Sequence, residues 1–456
     1  MWLKGFVKLS EENFRLLKDR ISIVYLLCFF VFLCISCSSV HERKNSRNET
    51  VTESAAKGKI LKLSSAALPH ALYSLYVPDN NDSLMPLFVF FDPHAQAMQV
   101  AEQYKQLADC CGVILAVSGD VKNGMEPASC YSFYRSLLKD IAQRVVFDTN
   151  SCYLAGFSGG ARVASYITFH EPALKGVVMC GAGMDAADMN PSVKYAGIAG
   201  LGDLNFAELY QWSLSCETKT GKSLFLFFEG GHEWPDDSVM ESAVRFMKGE
   251  AFRPLIQYDK RNWKKLLEVK AELQWLGSSR EYDQERKKRI DLINSPVMRT
   301  AENQITASIG EEKKTILELE PAFLQNDYLW WKTHTEAYRV IKMKKGMSLD
   351  EYMNLRVAGH FSMMGYLYSS NLLQRNNLSD AEFFLQKYSW TDPQNADVSF
   401  LYGLYLVKTG RYAEAIDSLR SAVDKGFSDL VAWKEKPELQ LLKDSVRFLE
   451  TEARLK

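Results

Sequence analysis

Between Gly58 and about Lys248, short apolar runs alternate with amphipathic stretches, and this alternation constrains the fold more than any other feature of the chain. The run at residues 86–91 is continuously apolar, as a strand covered on both faces should be. Residues 71–77 instead alternate apolar and polar side chains, which predicts an early, half-exposed strand. Strands that alternate with helices predict an α/β fold with a mostly parallel sheet and helices on both faces.

The other elements of this region follow from the same reading of periodicity. The further predicted strands are residues 113–117, 152–155, 176–180, 195–199 and 224–228. The predicted helices are residues 96–108, 128–146, 160–169, 206–216 and 238–247. In sheets of this kind ligands bind at the carboxyl ends of the strands, so we expect the functional residues there.

One short motif joins a predicted strand to a predicted helix: Gly156-Phe157-Ser158-Gly159-Gly160. A serine between them must lie on a tight turn, and the glycines remove side chains that would clash there. The turn projects Ser158 above the sheet and aims the backbone N–H of Gly159 at the place where a tetrahedral oxyanion would form. The alternative is a chance Gly-x-Ser-x-Gly in a βα loop. The context favours a nucleophilic serine.

A serine nucleophile needs a base, because its hydroxyl reacts poorly near neutral pH. Of the seven histidines, two follow predicted strand ends, His94 and His232. The order in which such sheets present nucleophile, acid and base places the base after the last strand. We therefore assign the base to His232; the alternative is a loop histidine bonded to backbone.

The third member should be a carboxylate that orients the imidazole and stabilises its cation. Asp203 follows the strand at residues 195–199, one strand before His232. Asp185, after the preceding strand, is the second candidate. Asp203 is also placed to cap the helix that begins at Phe206, and that structural role is the alternative to a catalytic one.

With these motifs, residues 58–248 resemble the α/β-hydrolase superfamily. The closest branch is the esterases that include polyhydroxybutyrate-depolymerase-like and feruloyl-esterase-like proteins. The resemblance lies in the elbow at residues 156–160, the Gly-x-x-Asp at residues 200–203 and the Gly-Gly-His-x-Trp at residues 230–234. It implies hydrolysis of a small-molecule or polymer ester through a serine acyl-enzyme, with no metal or organic cofactor.

The resemblance also implies that the second oxyanion donor comes from the loop after the strand at residues 86–91. Here the loop reads Asp92-Pro93-His94-Ala95, whereas related enzymes often have His-Gly. The backbone N–H of His94 or Ala95 is the expected donor, because alanine donates as well as glycine where its dihedral angles are allowed.

The N-terminal segment predicts export. An apolar run at residues 21–35 is preceded by Lys18 and Arg20, and it is shorter than the roughly 20 residues that span a membrane. Its end, Cys34-Ile35-Ser36-Cys37, resembles the bacterial lipobox. Residues 1–37 are therefore predicted as a lipoprotein signal peptide with Cys37 lipidated, residues 38–57 as a flexible tether, and the location as the bacterial cell envelope. An uncleaved anchor helix is the alternative.

After residue 250 the strand signal stops and the pattern is helical to the end. Ala381 and Ala415, like Leu385 and Leu419, are 34 residues apart, which follows the small/large spacing of the tetratricopeptide repeat. We divide the chain into an α/β-hydrolase domain at residues 58–250, a helical linker region at 251–361, and tetratricopeptide-like repeats at 362–456. A plain helical bundle with coincidental spacing is the alternative.

Charge and cysteine content exclude other classes. The formal net charge of −1 offers no electrostatic footprint for nucleic acid, and after Cys37 no Cys-x-x-Cys or His/Cys cluster predicts a metal site. Export permits disulfides, so we expect at most one bridge, from the Cys110/Cys111 pair to Cys130.

Two functions remain. The first is an envelope esterase, with amide cleavage and acyl transfer left open because they share its acyl-enzyme chemistry. The second is a catalytically inactive scaffold that binds a protein partner through its helical repeats. A chain that keeps both Ser158 and His232 favours the first.

Overall fold

The structure, a computed structural model, describes most of the chain after the predicted tether. The described residues are 56–65, 72–79, 84–216, 222–250, 261–277 and 280–455. The predicted signal peptide, with Cys37, lies outside them. Within these ranges no helix is both long enough and apolar enough to cross a bilayer.

Eight short strands form one sheet. In chain order they are β1 (Ile60–Ser64), β2 (Leu72–Tyr76), β3 (Leu87–Phe91), β4 (Ile114–Ser118), β5 (Cys152–Phe157), β6 (Gly176–Cys180), β7 (Lys194–Gly200) and β8 (Ser223–Phe228). Their order across the sheet is β1-β2-β4-β3-β5-β6-β7-β8. Strands β1 and β2 run antiparallel to their neighbours, and all other pairs are parallel. The predicted α/β class, a mostly parallel sheet followed by helices, is confirmed.

The apolar run of β3 shows why such strands are buried on both sides. Leu87, Val89 and Phe91 contribute to one hydrophobic cluster, while Phe88 and Phe90 contribute to another on the opposite face. Successive side chains of a strand point to opposite faces, so a strand with helices on both faces must be apolar throughout.

Helices cover both faces of the sheet. In the first half of the chain they are α1 (Ala97–Gln103), α2 (Lys105–Cys111), α3 (Pro127–Arg144), α4 (Gly159–His170), α5 (Phe206–Ser215) and α6 (Asp237–Lys248). The single helix predicted at residues 96–108 is therefore two, with Tyr104 between them. Tyr104 is fully buried, and its hydroxyl donates to the carbonyl of Pro235, 2.7 Å away.

The second half is helical, as predicted. Its α-helices are α7 (Asn262–Leu276), α8 (Asp283–Ile293), α9 (Pro296–Gln325), α10 (Tyr328–His334), α11 (Leu349–Gln374), α12 (Leu378–Thr391), α13 (Ala396–Lys408), α14 (Tyr412–Asp424), α15 (Leu430–Glu435) and α16 (Val446–Glu452). Below, α7 to α16 are called the helical region.

The helical region shares its core with the sheet. The hydrophobic cluster on one sheet face includes Trp263 of α7, Met298 and Ile305 of α9, and Tyr352 and Leu355 of α11. Since buried apolar area stabilises by about 25 cal/mol per Å², this shared cluster ties the two halves together.

The 34-residue spacing coincides with structure. Helices α12 and α14 begin at residues 378 and 412, and Ala381, Leu385, Ala415 and Leu419 are all fully buried. Trp433, where a third unit would place its aromatic residue, is 1% exposed and stacks on Phe448. Assignment of these hairpins to the tetratricopeptide class stays a prediction.

One buried lysine of this region makes stability depend on pH. Lys387 is fully buried, its ammonium donates to the carbonyl of Phe323, and burial lowers its pKa to about 8. A base whose pKa is lower in the folded than in the unfolded chain destabilises the fold while it is charged, and this cost falls as the pH rises from about 8 towards 10.5. Relative to Lys387→Met, we expect the wild type to gain up to about 3 kcal/mol over this pH range. Melting temperatures of both proteins against pH test this; a constant difference contradicts it.

Two expectations differ from the structure. Strand β2 is buried along Tyr73–Tyr76 and not half-exposed, because Tyr73 and Leu75 pack into the hydrophobic cluster on one face of the sheet and Tyr76 packs into the cluster on the other. Strand β1, which pairs with its outer edge, was not predicted. The expected bridge is absent: Cys110, Cys111 and Cys130 are free. Cys111 and Cys130 belong to the hydrophobic clusters on opposite faces of the sheet, which keeps them apart.

Candidate active site

Ser158 lies on the sharp turn between β5 and α4. Its φ is +51° and its ψ is −119°, a conformation that side-chain-bearing residues rarely adopt. A Cβ atom on Gly160 would come within 2.0 Å of the carbonyl oxygen of Phe91, and one on Gly156 within 2.2 Å of the carbonyl oxygen of Gly160. The elbow therefore needs glycine at both positions.

The structure brings Ser158, His232 and Asp203 together. The Ser158 hydroxyl lies 2.9 Å from Nε2 of His232, and Nδ1 of His232 lies 2.9 Å from Oδ1 of Asp203. Asp203 is fully buried, while the His232 side chain is 21% exposed. The three residues follow the carboxyl ends of β5, β7 and β8, three parallel strands, so the sheet gathers them at one edge.

Asp203 has the surroundings of an orienting carboxylate. Its Oδ1 accepts the backbone N–H of Asn205 at 2.8 Å in addition to His232. Its Oδ2 is buried with no hydrogen-bond partner among the described residues. The N-cap position of α5 is held by Asn205, whose side chain makes no capping hydrogen bond, and Asp203 lies two residues before it.

The other candidates lie elsewhere. Asp185 is exposed, and its side chain accepts the N–H of Ala187 at the start of a short 3-10 helix. His94 has a side chain that is 53% exposed. Its ring makes no hydrogen bond to Ser158 in the structure, whereas that of His232 does.

The loop after β3 differs from the sequence expectation. The N–H of His94 donates to Oδ1 of Asp92 at 2.8 Å, and the N–H of Ala95 donates to the Asp92 carbonyl at 3.1 Å. Both predicted oxyanion donors are thus already bonded to Asp92. Ala95 is at φ +58°, in the left-handed region that favours glycine.

Asn123 is a residue of this site that the sequence did not predict. Oδ1 of Asn123 is 1.8 Å from the point that a Cβ on Gly159 would occupy, so the amide rests against the residue after the nucleophile. The backbone N–H of Asn123 donates to the carbonyl of Pro93 at 2.9 Å, which fixes its loop beside that of His94. No motif marks Asn123 in the sequence, because it follows β4, 35 residues before Ser158.

The Trp234 of the Gly-Gly-His-x-Trp motif connects the base to the loop after β3. Its indole N–H donates to Oδ2 of the buried Asp92 at 2.9 Å. Its ring packs on Phe157, which in turn lies 4.8 Å from the ring of His232. These contacts hold the His232 loop against the elbow.

Among the described residues, no group of three or more His, Cys, Asp or Glu side chains is arranged to hold a metal ion.

A cleft of about 530 Å³ lies among α7, α9 and α11. Its lining includes Trp263, Ser308 and Met353 and contains none of Ser158, Asp203 and His232.

Comparisons with known proteins give fold-level likeness at low identity. No family model matches the chain, and no curated protein matches it. Among solved structures, S-formylglutathione hydrolase of Staphylococcus aureus is 13% identical, with 41% of this chain and 95% of that chain covered and a TM-score of 0.34. A hyperthermophilic esterase of Pyrobaculum calidifontis is 11% identical (42% and 85% covered, TM-score 0.34). Est1E of Butyrivibrio proteoclasticus is 13% identical (41% and 96% covered, TM-score 0.32).

Proposed function

We propose that this protein is a serine hydrolase that cleaves carboxylic esters through an acyl-enzyme on Ser158. The observation that carries the proposal is the pair of 2.9 Å contacts that joins the Ser158 hydroxyl, the His232 imidazole and the buried Asp203 carboxylate. A hydroxyl bonded to an imidazole that a carboxylate orients is the geometry of an activated nucleophile.

The reaction follows from this geometry. Nε2 of His232 accepts the hydroxyl proton as Oγ of Ser158 attacks the ester carbonyl, and Asp203 stabilises the imidazolium. When the tetrahedral intermediate collapses, the C–O bond to the alcohol breaks and His232 returns the proton to the leaving oxygen. Water then attacks the acyl-enzyme with the same proton relay, which releases the carboxylic acid and restores Ser158.

The developing oxyanion needs hydrogen-bond donors. The backbone N–H of Gly159 belongs to the first turn of α4, where no helical acceptor exists for it. Because the N–H groups of His94 and Ala95 are bonded to Asp92, we assign the second donor to the side-chain amide of Asn123. Amide oxygen and nitrogen are interchangeable by rotation, so Nδ2 can face the substrate.

Asn123→Ala is expected to lower kcat about 10- to 100-fold with a smaller change in KM. Removal of one oxyanion donor typically costs at least this much in the transition state. Steady-state hydrolysis of a p-nitrophenyl ester measures the effect. Lys122→Ala, at the exposed neighbouring residue, is the control and should leave kcat unchanged. If the Asn123→Ala enzyme is as active as the wild type, Asn123 is not the second oxyanion donor, and a backbone N–H of the His94 loop becomes the candidate again.

The direct test of the proposal is labelling of the full chain by a fluorophosphonate, with the adduct located by mass spectrometry. Attachment at Ser158 supports a serine hydrolase. Absence of labelling in folded protein contradicts it and favours the inactive scaffold. Hydrolysis rates for matched p-nitrophenyl esters and anilides then separate ester from amide cleavage, and short against long acyl groups measure the size of the pocket.

The cellular setting is part of the proposal and rests on sequence. Cys37 is proposed to carry the lipid that anchors the enzyme to the bacterial cell envelope, and the helical repeats to bind a protein partner. Incorporation of a labelled fatty acid tests the anchor: it should persist in Cys34→Ser and disappear in Cys37→Ser. Incorporation that persists in Cys37→Ser contradicts this assignment.

A further inference from the structure

Arg356 of α11 joins the helical region to the loop that carries Asp203. Its Nη1 donates to the carbonyl of Leu201 at 3.0 Å, two residues before Asp203. The guanidinium is 1% exposed and lies over the ring of Phe206, at 5.1 Å from its centroid. The Arg356 side chain therefore contacts the chain on both sides of Asp203, at Leu201 before it and at Phe206 after it.

Helix α9 holds the same guanidinium from the other side. Nε of Arg356 lies 2.6 Å from Oε2 of Glu312, and Nη2 lies 3.2 Å from Oγ of Ser308. Both partners are buried, and burial raises the pKa of Glu312 while the charge of Arg356 opposes that rise. Buried ion pairs of this kind are weak contributors to stability, because desolvation offsets their attraction. What the pair does is fix the guanidinium, so that its Nη1 reaches the Leu201 carbonyl.

The Asp203 loop is confined from both directions. On the sheet side, the N–H of Leu201 donates to the carbonyl of Phe228 at 2.9 Å and the N–H of Gly202 to that of Gly230 at 3.0 Å. On the α11 side, a Cβ on Gly202 would lie 3.3 Å from Leu355, and one on Gly359 would lie 3.3 Å from Leu204. Helix α11 thus follows the loop closely along its length.

We infer that Arg356 is a positioning residue for Asp203, so that the helical region is part of the catalytic unit. The inference rests on the proposed function. Without the bond to Leu201 the loop keeps only its sheet-side hydrogen bonds, and a shift of Asp203 would then take its Oδ1 out of the 2.9 Å contact with His232. A displacement of about 1 Å in a catalytic group lowers rates about 100-fold.

A second contact joins the helical region to the loop that follows β3. Nε2 of Gln96, the residue after Ala95, donates to Oγ of Ser428, which follows α14, at 2.9 Å. The helical region therefore touches both the loop that carries the acid and the loop that follows β3.

The experiment compares two double variants of the full chain that each remove a buried ion pair. The test variant is Arg356→Met with Glu312→Met, which avoids leaving one charge buried alone. The matched control is Arg289→Met with Glu272→Met, since that pair is also buried, with the same 2.6 Å contact, between α7 and α8. Melting temperature, kcat and KM for one p-nitrophenyl ester are measured for both and for the wild type.

We expect the test variant to lose about 100-fold in kcat with KM within about threefold, whereas the control keeps kcat within about threefold. The low-field proton resonance of the His232 Nδ1–H bonded to Asp203 should shift or disappear in the test variant only. Equal losses in the two variants, or a test variant with wild-type kcat and resonance, would overturn the inference. Neither result affects the proposed function, which fails separately if the wild type is not labelled at Ser158.

Discussion

Ser158→Ala is expected to abolish labelling by fluorophosphonate and to reduce ester hydrolysis about a millionfold. The loss is this large because, in the part of the chain that the structure describes, no other hydroxyl is bonded to the His232 imidazole, so both the nucleophile and the proton relay lose their function. Alanine lacks only the hydroxyl, and it meets the same backbone strain at φ +51°, so the melting temperature should stay within a few degrees.

Ser165→Ala is the control for this prediction. Ser165 lies in α4, the helix that follows Ser158. Its hydroxyl donates to the carbonyl of Ala161 at 2.9 Å and takes no part in the contacts among Ser158, His232 and Asp203. It should keep wild-type labelling and kcat. Labelling that persists in Ser158→Ala would assign the nucleophile to another residue and would remove the basis of the proposed mechanism.

Asp203→Asn is expected to lower kcat about 10⁴-fold while the fold is retained. The amide keeps an oxygen that can accept the N–H of Asn205, and its NH2 group replaces an oxygen that has no hydrogen-bond partner among the described residues. What is lost is the negative charge that stabilises the His232 imidazolium. Steady-state kinetics measures the loss of activity, and circular dichroism of the variant measures whether the fold is retained.

The control is Asp185→Asn, the second candidate of the sequence analysis. Asp185 is exposed, and its carboxylate accepts the backbone N–H of Ala187, two residues along the chain. Its replacement by Asn should therefore change kcat by less than about twofold. A large loss in Asp185→Asn with little effect in Asp203→Asn would reverse the assignment of the acid.

The residues that the sequence predicted to lie together, and that the structure brings together, are those whose position follows from strand order. Ser158, Asp203 and His232 each come directly after an apolar run, and the carboxyl ends of parallel strands meet at one edge of a sheet. Local pattern therefore sufficed to predict that the three lie together, although 74 residues separate the first from the last.

The residues that it placed incorrectly or missed depend on contacts between distant loops. The N–H groups of His94 and Ala95 looked available in sequence, but the Asp92 carboxylate and carbonyl accept them. Asn123 is brought to Gly159 by the crossing of two loops and has no motif of its own. Strand β1 was missed because it is a short run of residues that becomes a strand through its pairing with β2, and a local pattern does not show that pairing.

The sequence by itself determined the class of the fold, the tight glycine-rich turn at Ser158 and the strands that Ser158, Asp203 and His232 follow, because hydrophobic periodicity and glycine spacing are local properties that set strands, helices and turns. Only the tertiary structure decided that the N–H groups of His94 and Ala95 are bonded to Asp92, that Asn123 lies against Gly159, and that Arg356 reaches the Asp203 loop from a helix 155 residues along the chain from Leu201. Those outcomes depend on how packed elements approach one another, and burial forces each polar group there to find a partner that no local pattern specifies.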